Sequence, residues 1–92
     1  MIRGFRDTDT ETLFKGVRVA RFVNIESVER RKLGMLAAAA QLSDLRSPPG
    51  NRLEALRGVR AGQHSIRVND QFRVCFRWTD DGAEDVEIVD YH

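Results

Sequence analysis

A run of alternating polar and apolar residues, HSIRVNDQFRVCFRW, constrains the fold of this chain more than any other feature. Its apolar residues fall on every second position: Ile66, Val68, Phe72, Val74, Phe76 and Trp78. A period of two is that of a half-buried β-strand. Asn69 and Asp70 separate the two runs, and both tolerate the positive φ of a two-residue hairpin turn. We therefore predict an antiparallel hairpin whose opposite face carries Arg67, Arg73, Cys75 and Arg77.

The first half of the chain is patterned for helices. In DTDTETLFKG, Asp7 or Thr8 can cap a short helix that has acidic residues in its first turn and stops at Gly16. In SVERRKLGMLAAAAQL, Ser27 can cap a longer helix that runs to Leu42 and contains four consecutive alanines. The string SPPGN then separates this helical half from the strands, because prolines and glycine do not continue a helix.

The remaining segments complete a single domain over residues 1–92. MIRGF, with Ile2 and Phe5 apolar, fits a first strand or a strand-like arm, whereas VRVARFVN fits both the helical and the strand period. After the turn DDG, EDVEIVDYH fits a last strand with Val86 and Ile88 on one side. Helices followed by strands in a chain of this length predict one α+β domain with one modest core.

Charge is unevenly distributed, although the net charge is only +1. From residue 51 to residue 78 there are two acidic residues and six arginines: Arg52, Arg57, Arg60, Arg67, Arg73 and Arg77. From residue 79 to residue 92 there are six acidic residues and neither lysine nor arginine. The planar fork of arginine suits phosphate groups. A solvated sheet face whose charges are balanced by the acidic segment is the alternative interpretation.

Several classes of protein are disfavoured by composition. No run approaches the about 20 apolar residues that cross a bilayer, and the opening residues lack the apolar stretch of a signal peptide. The single Cys75 forms no internal disulfide, so we expect a reducing, cytoplasmic location. His64, His92 and Cys75 lack the spacing of a metal site, and we expect no metal and no cofactor. We assign Cys75 and His64 packing roles.

The closing residues are the candidates for chemistry. His92 suits proton transfer near neutral pH, Tyr91 can stack on a base, and Asp90 can orient an imidazole or a hydroxyl. Arg57 and Arg73 can hold a phosphate and stabilise charge that grows on it. An acid/base group beside arginines is what cleavage of RNA through its own 2′-hydroxyl requires. The alternative is that these last residues form a solvated tail.

Taken together, the strings MIRGF, RKLGMLAAAAQLSDLRSPPGNRLEALRG, GQHSIRVNDQFRVCFRW and VEIVDYH resemble the HigB-type toxins of bacterial toxin–antitoxin systems, close to the GraT branch of the RelE/ParE group. The resemblance implies a RelE-like α+β fold in which N-terminal helices pack on a small antiparallel sheet. It also implies a ribosome-dependent mRNA endonuclease that acts in the A site through 2′-hydroxyl attack, without metal. The implied partners are the ribosome with its mRNA and rRNA and a HigA-like helix-turn-helix antitoxin.

The family's catalytic residues can be carried onto this chain where the motifs match. Its closing Asp-Tyr-His stands here as Asp90, Tyr91 and His92, and its strand arginine stands as Arg73. Its middle motif, Leu-His-Pro-Leu-Lys-Gly, stands as LEALRG, in which the histidine is replaced by Glu54. The lysine of that motif is replaced by an arginine, and we assign RNA binding to the arginines Arg57, Arg60, Arg67 and Arg77.

Glu54 is the main departure from the family pattern. Its carboxylate either acts as the base, leaving His92 as the acid, or takes no part in the reaction. Two further functions stay open. One is a ParE-like toxin that poisons DNA gyrase without cutting RNA, and the other is a non-enzymatic domain whose arginine face binds nucleic acid or an acidic partner segment.

Overall fold

A computed structural model describes residues 1–90, and Tyr91 and His92 lie outside the described residues. Within residues 1–90 the chain forms two α-helices, α1 (Thr8–Phe14) and α2 (Glu26–Ala38), and a four-stranded antiparallel sheet. The strands, which are neighbours in chain order, are β1 (Glu54–Ala55), β2 (His64–Arg67), β3 (Phe72–Thr79) and β4 (Gly82–Asp90). Short 3₁₀ helices span Ala20–Phe22, Leu42–Arg46, Pro49–Asn51 and Gly58–Arg60. The predicted α+β class, with N-terminal helices before a small antiparallel sheet, is confirmed.

Helix α1 begins and ends where its sequence predicts. Asp7 is the N-cap residue, and its Oδ2 accepts a hydrogen bond from the Thr10 backbone N–H at 3.1 Å. This bond satisfies one of the amides that the first turn leaves without a partner. Gly16 follows the C-cap residue Lys15 and adopts a φ of 91°, a left-handed conformation that glycine reaches at little cost.

Helix α2 differs from the prediction at both ends. It begins at Glu26 with Ile25 as the N-cap residue, so Ser27 lies inside the helix and is not its cap. It ends at Ala38, before Leu42, because the Asp44 carboxylate accepts hydrogen bonds from the backbone N–H groups of Ala40 and Gln41 at 2.9 and 3.1 Å. A side chain that binds these amides competes with helical hydrogen bonds and starts the Leu42–Arg46 3₁₀ helix instead.

The N-terminal residues form an arm along the outer edge of β4, as predicted for MIRGF. Ile2 pairs with Ala83 and Phe5 pairs with Val86 in parallel bridges. The Ala83 N–H donates to the Met1 carbonyl at 2.8 Å, and the Arg6 N–H donates to the Val86 carbonyl at 2.9 Å. An edge strand that is covered in this way offers fewer unpaired backbone groups to other chains.

The core lies between the helices and one face of the sheet. The strands contribute Ile66, Val74, Phe76, Val86 and Ile88, and the first half of the chain contributes Leu13, Phe22, Leu33, Leu36 and Leu45. Every second residue of β2 and β3 therefore faces the helices, as the alternation predicts. Among residues 1–90, no helix is long and apolar enough to span a bilayer.

The connection between β2 and β3 is not the predicted two-residue turn. The register pairs Arg67 with Arg73, and the Val68 N–H donates to the Phe72 carbonyl at 3.0 Å. Asn69 Oδ1 accepts hydrogen bonds from the N–H groups of Gln71 and Phe72 at 2.9 and 2.8 Å. Neither Asn69 nor Asp70 has a positive φ. The Asn69 side chain thus organises a longer connection, because it accepts hydrogen bonds from the backbone N–H groups two and three residues later in the chain.

Two ionisable side chains of α2 are buried. Glu29 has no exposed surface, and burial raises its pKa to about 8, with Arg21 opposing this rise and Glu26 adding to it. Burial likewise lowers the pKa of Lys32, whose Nζ donates to Oδ1 of the buried Asn51. Taking a carboxylate out of water without a compensating partner favours its protonated form.

We predict that the free energy of unfolding falls as pH rises from about 4.5 to about 8, because the folded chain keeps a Glu29 proton that the unfolded chain releases. This contribution is fully present below the ordinary carboxyl pKa and is lost as pH rises through the folded value. The slope reaches at most about 1.4 kcal/mol per pH unit. Urea unfolding across this pH range measures it.

Glu29→Gln should flatten this slope, because the amide does not titrate. Glu11→Gln is the matched control, since Glu11 is a half-exposed residue of α1. A pH dependence that is the same in Glu29→Gln as in the wild-type chain contradicts the prediction.

Candidate active site

Arg73 is held almost completely buried on the sheet face opposite the helices. Only 9% of its surface is exposed. Its Nε donates to Ser65 Oγ at 2.7 Å, and its Nη2 donates to the backbone carbonyls of Arg52 at 2.7 Å and Ser65 at 3.5 Å. A guanidinium with several oriented acceptors keeps one position and one charge, which is the property that a fixed anion-binding group needs.

The strand register brings Ser65 to Arg73. Ser65 pairs with Cys75, and Arg67 pairs with Arg73, so these four residues occupy one face, together with Arg77 of β3. We call this face, which carries Ser65, Arg67, Arg73, Cys75 and Arg77, the polar face. Ser65 and Cys75 have no exposed surface.

The second acceptor depends on an unusual backbone conformation. Arg52 has a φ of 46° and a ψ of 58°, the left-handed region, directly after the 3₁₀ helix Pro49–Asn51. The preceding Asn51 is fully buried, and its Nδ2 donates to the carbonyls of Leu45 and Ser47 at 3.1 and 3.2 Å. The buried amide therefore fixes the loop that aims the Arg52 carbonyl at Arg73.

Glu54, the candidate base, lies beside Arg73. It opens β1 opposite Ser65, and its Oε2 is 4.0 Å from Arg73 Nη2. The Glu54 side chain is 56% exposed, whereas that of Arg73 is 11% exposed. The structure therefore places a solvent-accessible carboxylate beside a buried, fixed cation.

The four arginines predicted to bind RNA differ in their ion pairing. Arg57 is exposed and forms no ion pair with any residue from 1 to 90. Arg60 donates to Glu87 at 2.8 Å, Arg67 is paired with Asp70, and Arg77 Nε lies 3.6 Å from Asp85. Two acidic residues of β4 thus balance arginines of the neighbouring segments, as the alternative interpretation of the charge pattern proposed.

Asp90 ends β4 opposite Phe72, and its Oδ2 accepts a hydrogen bond from Gln71 Nε2 at 3.0 Å. Strand alternation places it on the other side of β4 from Val89, which is the partner of Arg73. Tyr91 and His92 lie outside the described residues, so the predicted contact between the closing imidazole and the arginines stays a prediction.

Two parts of this site were not predicted: the Ser65 hydroxyl and the Arg52 carbonyl. Ser65 stands two residues before Arg67, so the period of two was a signal that placed it on the polar face. The Arg52 carbonyl carried no such signal, because a left-handed arginine is not announced by residue type.

Comparison with known proteins supports the resemblance. Residues 3–92 match the family described as RelE-like toxin of type II toxin–antitoxin system HigB. The chain is 45% identical over 78 residues to Toxin HigB-1 of Vibrio cholerae, which covers 83% of this chain and 82% of that toxin. It is 44% identical over 55 residues to an uncharacterized protein of Haemophilus influenzae. The aligned region covers 60% of this chain and 54% of that protein.

A solved structure shares the fold. A chain of the YoeB–YefM complex from Staphylococcus aureus superimposes with a TM-score of 0.63 over 100% of this chain and 98% of its own length, at 15% identity. This likeness concerns the α+β architecture alone. On the strength of the family match over residues 3–92 and the identity to Toxin HigB-1, this chain belongs to the HigB family of RelE-like toxins of type II toxin–antitoxin systems.

Proposed function

We propose that the chain is a ribosome-dependent endoribonuclease that cleaves mRNA in the A site. The observation that supports this most is the buried Arg73 guanidinium, fixed by Ser65 and the Arg52 carbonyl beside the exposed Glu54 carboxylate. A fixed positive charge stabilises the negative charge that grows on a phosphate during cleavage, and it needs no rearrangement at the moment of reaction.

The reaction uses the RNA's own nucleophile. The 2′-hydroxyl oxygen attacks the adjacent phosphorus, its proton passes to a base, and the bond from phosphorus to the 5′ oxygen breaks. An acid protonates that oxygen, which leaves a cyclic phosphate and a 5′-hydroxyl. In this scheme Glu54 is the base, His92 is the acid, and Tyr91 and Asp90 orient the substrate and the imidazole.

The exposed Arg57 supplies a second contact to the RNA backbone, because its guanidinium forms no ion pair among residues 1–90. Arg60, Arg67 and Arg77 contact RNA only after they exchange an acidic partner for a phosphate. The same ion pairs would have to be exchanged in the competing function, a non-enzymatic domain whose arginine face binds nucleic acid or an acidic partner segment.

The proposed cellular partners follow from the family. A HigA-like helix-turn-helix antitoxin would neutralise this toxin, and the fold likeness to a chain of the YoeB–YefM complex agrees with a protein partner. Because mRNA in the ribosomal A site is the proposed substrate, the proposed site of action is the cytoplasm.

In a purified translation system, the wild-type chain should produce new 5′ ends on ribosome-bound message. His92→Ala should lower the cleavage rate by at least about tenfold, since general acid–base groups contribute on the order of 10²–10⁴. Arg31→Ala, at an exposed arginine of α2, is the control and should cleave normally. Absence of new ends with the wild-type chain refutes the proposal, and inhibition of DNA supercoiling instead would identify a gyrase poison.

Ser65→Ala should destabilise the fold by about 1–3 kcal/mol, because it leaves the buried Arg73 Nε without its hydroxyl acceptor. Ser43→Ala, at an exposed serine, should change stability by less than about 0.5 kcal/mol. Urea unfolding of both variants tests this difference. Equal stabilities of the two variants would show that the hydroxyl does not hold the guanidinium.

A further inference from the structure

A cleft lies on the face of the β1–β2 edge opposite Arg73. It has a volume of about 400 Å³ and is lined by Leu42, Ser43, Arg46, Leu53, Ala55 and His64. Ala55 pairs with His64, whereas the adjacent pair, Glu54 and Ser65, borders Arg73. Since neighbouring strand residues point to opposite faces, this cleft and the Arg73 site lie back to back across the same two strands.

The polar groups of the cleft lack partners within residues 1–90. The buried Nδ1 of His64 has no hydrogen-bond partner there. Arg46 is exposed and forms no ion pair, and the exposed Ser43 hydroxyl forms no hydrogen bond, with any described residue. No acidic residue lines the cleft. A few convergent polar groups on apolar walls are typical of a small-ligand site.

The open edge of β1 adds backbone groups to the cleft. The Leu56 N–H donates to the Gln63 carbonyl at 2.8 Å, so the next pair, Ala55 and His64, is the non-hydrogen-bonded type. In an antiparallel ladder, the N–H and the C=O of such a residue on an edge strand point away from the partner strand. Ala55 therefore presents one donor and one acceptor beside the cleft.

We propose that this cleft binds one nucleotide of the RNA substrate, next to the nucleotide whose phosphate meets Arg73. The base lies between Leu42 and Leu53, its edge contacts the His64 imidazole and the Ala55 backbone, and its phosphate pairs with Arg46. The identity of the ligand as substrate RNA rests on the proposed function. Because β1 is the edge strand, a single-stranded RNA passes from one site to the other around one strand only.

The geometry favours a nucleotide over an acidic peptide. Strand addition by a peptide relies on a row of outward backbone groups. Strand β1 has two residues, and its pairing with β2 leaves only Ala55 with both its N–H and its C=O pointing away from β2. The volume of about 400 Å³ and the mixture of apolar walls, imidazole and guanidinium suit a ring that carries a phosphate.

Titration of ¹⁵N-labelled protein with AMP, CMP, GMP and UMP tests the cleft directly. At least one of these should shift the amide signals of Ala55, His64 and the Leu42–Arg46 segment in a saturable manner. Arg46→Ala should weaken that binding by about tenfold, the effect of losing one charge-assisted hydrogen bond of about 1.5 kcal/mol. Arg31→Ala, which removes another exposed arginine, on α2, should bind like the wild-type chain.

Three results would overturn the proposal: no binding of any of the four nucleotides, shifts confined to Ser65 and Arg73, or an unchanged dissociation constant in Arg46→Ala. Saturable binding of a tetraglutamate peptide at the cleft, in the absence of nucleotide binding, would assign the cleft to an acidic protein segment instead.

A cleavage experiment separates this proposal from the proposed function. Ser43→Glu places a carboxylate where a phosphate should bind, and it should redistribute the cut positions on ribosome-bound message. If the wild-type chain makes no cuts although nucleotides bind the cleft, the proposed function fails and the binding site stands. If the wild-type chain cuts but Ser43→Glu cuts at the same positions with the same frequencies, the assignment of the cleft to substrate RNA fails.

Discussion

The buried guanidinium of Arg73 is the constraint on which the functional end of this molecule depends. A cation removed from water destabilises the fold unless acceptors surround it. Ser65 and the Arg52 carbonyl provide them, and in doing so they join β2, β3 and the loop that precedes β1. The same bonds that satisfy the charge therefore fix the edge of the sheet, and with it the position of Glu54.

The extent to which this arrangement follows from sequence can be judged residue by residue. Alternation predicted both faces of β2 and β3, because burial of one face imposes a period of two. The register was not predicted, because the turn predicted at Asn69–Asp70 conflicts with this alternation, whereas the Asn69 side chain organises a longer connection that agrees with it. A two-residue turn at Asn69–Asp70 would have paired Arg67 with Phe72 in place of Arg73, and a slip of one residue turns Ser65 to the other face.

Helix α2 illustrates a second limit of sequence reasoning. Its alanines favour continuation of the helix, yet one carboxylate, that of Asp44, ends it by binding two backbone amides. Each of these hydrogen bonds contributes little free energy by itself. Whether it forms depends on the course that the chain takes after the helix. The resulting 3₁₀ helix forms one wall of the cleft behind β1, so the early end of α2 creates a surface that propensity alone does not predict.

Some of the arginines that lack an acidic partner among the described residues lie near the β1 edge of the sheet. Acidic residues of β4 neutralise Arg60 and Arg77, while Arg57 on the loop after β1 and Arg46 beside the cleft have no ionic partner among residues 1–90. Unpaired cations thus flank β1, where the proposed RNA path passes.

The fixed position of the Arg73 guanidinium can be tested by NMR, through the exchange of its Nε–H proton with water. We expect a resolved Arg73 Nε–H signal that exchanges with water far more slowly than that of the exposed Arg31. Exchange as fast as that of Arg31 would contradict it.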